Sequence, residues 1–313
     1  MNRLQSLAVG CAALVALTAG PAPAAEAPRT LDELAAVRRA ELLAVGFAPR
    51  ALGDGGGRVA WLETGDGPPL VFLHGAGDQA ATWHAVAPAF TASYRVVLVD
   101  LPGHGASEPL AAEVLPMATV VAGAERVLLA ATGGPPAIVV GNSMGAWIAT
   151  LLAHRHPARV ARLVLVSGGA LPGDPGAPSL VPATREQAAY LMSKLRDPAS
   201  PPLPEWILDD IVRRTPSGAT TRMMRDLPGL VGHLLVGRLG EVSTPVDLLW
   251  GESDQLMTLA YAERMASQLP SARLTRIARC GHVPQVECPE RFRAALADLL
   301  AAPPPIPDEA TAP

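Results

Sequence analysis

The sequence predicts an α/β protein: a mostly parallel central sheet flanked by helices, with a helical cap inserted late in the fold. Three observations carry that expectation. Short apolar runs bounded by Gly or Pro alternate with helix-like segments, the interval from 170 to 241 breaks that rhythm, and one serine stands where an apolar run meets an apolar helix, in "GNSMG". Runs that are apolar on both faces suit strands buried between helical layers, and regular alternation with helices is how parallel crossover connections read in a sequence.

The elements follow in order. Arg3 supplies a positive start, Leu7 to Ala19 is an apolar run too short to span a bilayer, and Ala22-Pro23-Ala24 offers a small-residue cleavage site, so residues 1–24 read as a signal peptide. The expected product is exported, periplasmic or extracellular, with no stable membrane span after cleavage. Residues 25–57 hold an N-terminal helix and lead-in, capped by Thr30 or Asp32, with Leu31, Leu34, Val37 and Leu42 at helical spacing. Residues 58–169 form the first part of the core. There "RVAWLETG" (58–65) alternates apolar and polar residues like a half-exposed edge strand, while "LVFLHG", "YRVVLVD", "AIVVG" and "LVLVSG" read as buried strands. Met117 to Ala131 and Met144 to His156 read as helices between them. Residues 170–241 contain Pro/Gly-rich turns and two helical pieces, "TREQAAYLMSKLRD" and "PEWILDDIVRRTP"; a structureless loop of that length does not suit a compact domain, hence the cap. Residues 242–301 complete the core with "VDLLWG", a helix from Leu259 to Gln268, a strand in "ARLTRIARCGH" and a helix from Glu290 to Ala301. The Pro-rich residues 302–313 cannot continue that helix and are expected to be a disordered tail.

Composition narrows the function. The 313 residues are 49% hydrophobic and 17% charged with a net charge of −4, which supports a large core and supplies no basic footprint for nucleic acid. Lys194 is the single lysine, so no polybasic tract exists. Beyond the leader only Cys280 and Cys288 remain; their spacing fits neither a redox CxxC nor a zinc site, leaving two buried thiols or one disulfide as alternatives.

Ser143 lies in G-x-S-x-G between a strand and a helix. A sharp turn there lifts the serine out of the sheet, and only glycine tolerates the crowding around it. A serine hydroxyl needs a base. Of seven histidines, His282 stands in a loop beyond a strand's C-terminal end, where sheets of this kind place reactive groups, whereas His154 and His156 lie far along the helix after Ser143 and His84 and His233 lack a partner pattern. A third group must hold the imidazole's tautomer, and Asp254, just past "VDLLWG", gives the chain order Ser, Asp, His; Glu252 and Asp174 are its rivals. Asp247, inside an apolar strand, requires a partner if buried.

These motifs together resemble the α/β-hydrolase superfamily from about residue 58 to residue 301. "HGAG" (His74 to Gly77) is similar to the family's oxyanion loop, which implies backbone N–H donors at Ala76 and Met144. "DLPGHGAS" resembles a turn common in the family, and "CGHVPQVECPERF" resembles the segment bearing its catalytic histidine. Ala146 stands where a second glycine often follows, and Ser143 rather than aspartate argues against dehalogenation or epoxide opening. Among capped members the chain is similar both to esterases and to C–C bond hydrolases of ring-cleavage products. The latter use a cap arginine on a substrate acid, for which Arg185 and Arg196 are the candidates here. The expectation is a small-molecule serine hydrolase of carboxylic esters or related acyl substrates, needing no cofactor and no metal, with Ser143, Asp254 and His282 as its triad. The alternatives are C–C bond hydrolysis and a non-catalytic small-molecule receptor of the same fold.

Overall fold

The computed structural model describes residues 27–53, 57–109 and 111–306. The predicted signal peptide and most of the predicted tail lie outside them. Eight strands form one sheet: β1 (Ala48–Leu52), β2 (Val59–Thr64), β3 (Pro69–Leu73), β4 (Arg95–Asp100), β5 (Ala137–Asn142), β6 (Val160–Val166), β7 (Val246–Gly251) and β8 (Ala272–Ile277), in the order β1-β2-β4-β3-β5-β6-β7-β8. β1 and β2 run antiparallel to their neighbours and the rest are parallel.

The apolar runs are explained by two cores. Val71, Leu73, Val97, Val99, Val139 and Leu165 enter one core, while Leu70, Phe72, Val96, Leu98, Val140 and Val164 enter the other, as the two-residue side-chain period of a strand requires. Helices α2 (Met117–Ala131), α3 (Met144–Arg155) and α8 (Leu259–Ala266) cover the first face. Helices α1 (Leu31–Ala44) and α10 (Pro289–Ala301) cover the second through Leu42, Phe292 and Leu296. Thr30, not Asp32, caps α1, its hydroxyl accepting from Glu33 N–H at 3.1 Å.

Between β6 and β7 the chain makes α4 (Arg185–Leu195), α5 (Glu205–Arg214), α6 (Ala219–Met224) and α7 (Leu227–Gly232); a short α9 (Pro284–Glu287) precedes α10. The first two match the expected helical pieces. The other two are six residues each, too short to show a periodicity.

One expected strand is placed differently. β2 is not an edge: β1 pairs along its whole length and leaves Val59 to Leu62 buried. The sequence of β1, "APRAL", holds a proline and an arginine and only marginal alternation, as suits the true edge strand.

Asp247 receives its partners. Its carboxylate is fully buried between Arg162 and Arg273, which approach Oδ2 and Oδ1 at 2.5 and 2.7 Å, and Arg162 also donates to the Ala302 carbonyl at 2.9 Å. Ser271 donates to Pro305 O at 2.6 Å, so the first residues of the predicted tail are tied to the sheet margin. Cys280 and Cys288 are joined in a disulfide, resolving the two alternatives their spacing allowed.

Candidate active site

The C-terminal ends of β3, β5 and β7 and the loop after β8 converge on one place. Ser143 separates β5 from α3 at φ 54°, a left-handed conformation that costs a non-glycine residue on the order of 1–3 kcal/mol and persists only where neighbours enforce it. They do so here. A Cβ at Gly141 would stand 2.3 Å from Gly145 O, one at Gly145 2.2 Å from Leu73 O, and one at Gly168 2.4 Å from Ser143 O. The third glycine, which ends β6's turn, closes the bend from the side and escaped the sequence motif because it is remote in the chain. Ser143 N–H donates to Val166 O at 2.9 Å, pinning the bend to the neighbouring strand.

Asp254 and His282 meet in the buried ground beside it, each 4% exposed. Asp254 Oδ1 accepts the amides of Leu256 and Met257, both at 2.9 Å, leaving Oδ2 for His282 Nδ1 at 2.8 Å. A proton on Nδ1 satisfies this contact and leaves Nε2 as the basic nitrogen. Among the described residues, Ser143 and His282 are connected through Asn142 rather than by a side-chain hydrogen bond. Asn142 Nδ2 donates to His282 O at 2.9 Å and to Val166 O at 3.2 Å, while Gln285 Nε2 donates to Asn142 Oδ1 at 3.1 Å. Sequence reasoning passed over Asn142 and Gln285; two amides within apolar surroundings were the available signal.

The loop after β3 reaches the same point, since a Cβ on Gly75 would lie 3.3 Å from that of Ser143. Among the described residues, the Ala76 and Met144 amides donate to no protein acceptor, Met144 because the first N–H of a helix has no intrahelical partner. Two buried histidines shape this loop. His74 Nδ1 donates to Gly75 O at 2.8 Å and its Nε2 accepts Leu101 N–H at 3.0 Å; His104 Nδ1 donates to Pro102 O at 3.0 Å and its Nε2 accepts Gly77 N–H at 3.3 Å. Both must be neutral to accept. Burial pushes both imidazoles down, His104 to about 3. The "DLPGHGAS" turn thus buttresses the loop after β3, and its Asp100 accepts from Arg39 of α1 at 3.0 Å and from Ala80 N–H at 2.8 Å.

The remaining candidates fall elsewhere. Glu252 is exposed, and Asp174 is taken up by Thr258 and Arg264. His154 pairs with Glu241, His156 with Glu125 and His84 with Glu41. His233 Nδ1 donates to Gly229 O. Arg185 faces Glu205 and Asp209 at the surface, whereas Arg196 lines a cleft and donates to Pro201 O at 2.6 Å.

Two clefts adjoin the site. One of about 700 Å³ lies between α1, the loop after β3 and the α5–α6 region, and is rimmed by arginines including Arg214 and Arg222. The other, about 520 Å³ and more apolar, runs from Ala76 past Leu34, Met192 and Ile207 to Val283. Neither is walled by Ser143 or His282; both reach the loop after β3, and the second also reaches Val283, the residue after the histidine. Among the described residues, no group of three or more His, Cys, Asp or Glu is arranged to hold a metal ion, and no helix is long and apolar enough to cross a membrane.

A strained serine turn after the fifth strand, an aspartate after the seventh and a histidine after the eighth lie at one end of this sheet. The chain belongs to the Alpha/beta hydrolase family, whose model matches residues 70–295. It is similar to a 2-hydroxy-6-oxononadienedioate/2-hydroxy-6-oxononatrienedioate hydrolase of Burkholderia vietnamiensis, with 34% identity over 78% of this chain and 91% of that one. A pimeloyl-[acyl-carrier protein] methyl ester esterase of Aromatoleum aromaticum is 34% identical over 74% of this chain and 98% of the relative. Among solved structures, a membrane phospholipase A described as a bacterial virulence factor superposes with a TM-score of 0.72 at 28% identity, covering 86% of this chain and 90% of the other. As an alpha/beta hydrolase, the protein acts on a small-molecule substrate.

Proposed function

We propose that the protein is an exported serine hydrolase that cleaves a small carboxylic ester through an acyl-enzyme. The observation that carries this reading is the Asp254–His282 contact at 2.8 Å beside a serine held at φ 54°. Ser143 Oγ attacks the carbonyl carbon while His282 Nε2 takes its proton. The oxyanion is received by the Ala76 and Met144 amides, each donor contributing roughly 2.7–4 kcal/mol to the transition state. His282 returns the proton to the departing alkoxide, and water, deprotonated by the same nitrogen, releases the acid. Asp254 stays ionised throughout and supports the imidazolium. The α4–α7 segment acts as a cap over the sheet, with the more apolar cleft as the acyl or alcohol pocket. Export is supported by the leader pattern of residues 1–24 and by a disulfide, which persists in oxidising compartments.

A second reading, hydrolysis of a C–C bond in a ring-cleavage product, is favoured by the 34% identity to the Burkholderia enzyme. Parallel assays separate the two. Wild type and Ser143→Ala are given a 4-nitrophenyl ester series and a 2-hydroxy-6-oxo-dienoate acid. Ester turnover lost in the variant supports the first reading; turnover of the dienoate alone replaces it with the second. Binding without turnover of either would make the protein a receptor.

A further inference from the structure

Glu287, at the end of α9, spends its carboxylate on three donors from two separate parts of the chain. Oε2 accepts the amide of Gly281, the residue before His282, at 2.5 Å. Oε1 accepts the Asp197 amide at 2.8 Å and the Ser200 hydroxyl at 2.5 Å, both in the segment that joins α4 to α5. That segment and the last residues of α4 touch the histidine loop and the acid loop at further points. His282 N–H donates to Leu195 O at 2.8 Å, Gln255 N–H to Lys194 O at 2.9 Å, and Ser253 to Asp197. The approach is close enough that a Cβ on Gly281 would lie 2.2 Å from Leu195 O.

We infer that Glu287 is a positioning residue for His282, locking the loop that carries the imidazole to the segment between α4 and α5. The inference rests on the reading of His282 as the base. The Cys280–Cys288 disulfide closes the loop into a ring, and a ring so closed can still swing as a unit against the sheet. Glu287, next to the ring's end, reaches back across it to Gly281 and outward to Asp197 and Ser200, which removes that swing. Hydrogen bonds to an ionised carboxylate are roughly twice as strong as neutral ones, so this contact outweighs the neutral Leu195 bond beside it. Positional error matters at this site: a displacement on the order of 1 Å at a reacting group can cost about 10²-fold in rate. The segment above the sheet thereby helps to determine where the imidazole stands.

Glu287→Ala and Glu287→Gln are compared with wild type at equal distance below each variant's own melting temperature. Turnover of the best 4-nitrophenyl ester and the rate of Ser143 labelling by a fluorophosphonate are both read. The expected result for Glu287→Ala is a kcat lowered by about tenfold or more, KM within about twofold, and labelling slowed in proportion, since a displaced base impairs both reactions. Glutamine offers one acceptor oxygen but turns an NH2 toward the other donors, so its loss is intermediate. Ser200→Ala removes a single donor from the same carboxylate and serves where the alanine variant fails to fold; kcat falls there too, by about twofold or more. Unchanged kcat and labelling in folded Glu287→Ala or Ser200→Ala, or an effect confined to KM, would overturn the inference while leaving the serine-hydrolase reading intact. Turnover retained by Ser143→Ala would instead remove that reading, and this inference with it.

Discussion

Acidification from pH 7.5 to pH 5 is expected to cost the folded protein about 2 kcal/mol through His104 alone. Its imidazole, 4% exposed, is held at about 3 by burial against an ordinary value of 6.5, with His74 and Arg222 adding repulsion. A histidine whose folded pKa is depressed binds fewer protons folded than unfolded. Stability is therefore full above the unfolded value and is lost as pH falls from 6.5 toward 3. At pH 5 the loss is about 1.5 pH steps at roughly 1.36 kcal/mol each. His74, lowered for the same reason, acts in the same direction. The depressed carboxylates Glu241 and Asp174 start from ordinary values of 4.5 and 3.8, so their contribution is lost mainly below pH 5 and leaves this window to histidines. Protonation also turns His104 Nε2 into a donor facing Gly77 N–H, which removes the support of the loop after β3. Urea unfolding at pH 7.5 and pH 5 reads the effect in wild type and in His104→Gln, whose amide oxygen accepts the Gly77 bond without titrating. The difference between the two pH values should be smaller in the variant by about 2 kcal/mol. Equal pH dependence in both proteins would refute the assignment of His104 as a buried neutral acceptor.

Three other outcomes follow from the same geometry. Asp254→Asn should stay folded by circular dichroism yet lose on the order of 10³–10⁴-fold in kcat, because the asparagine NH2 disfavours the tautomer that leaves Nε2 basic. Replacing Cys280 and Cys288 by serine opens a ring with a sequence separation of 8, which should lower unfolding free energy by roughly 2.5 kcal/mol in denaturant titration and reduce kcat through the freed histidine loop. Asp247→Ala leaves Arg162 as a buried, uncompensated charge beside the partly exposed Arg273 and should cost about 3–5 kcal/mol in the same titration, with KM little changed in whatever remains folded.

The buried strands and the longer helices were legible because burial on both faces forces continuous apolar runs, and Met117–Ala131 begins and ends where the sequence places it. β1 was not, since an edge strand carrying Pro49 and Arg50 owes its form to pairing with β2 rather than to its own pattern. At the site, Ser143 and His282 announce themselves by local turn chemistry. Asn142, Gly168 and Glu287 do not, because each acts on a partner far away in the chain: Asn142 on His282, Gly168 on Ser143, Glu287 on Ser200. Asp247 stood out as a buried charge in an apolar strand, and only the sheet order reveals that its arginines come from the strands on either side.

The central claim is that Ser143 is an activated nucleophile. Intact-mass measurement of wild type and Ser143→Ala after incubation with a fluorophosphonate tests it directly. The account predicts a single stoichiometric adduct on wild type, mapped to the peptide containing Ser143, and none on the variant. A folded wild type that takes up no probe, or a variant labelled at the same rate, would contradict it.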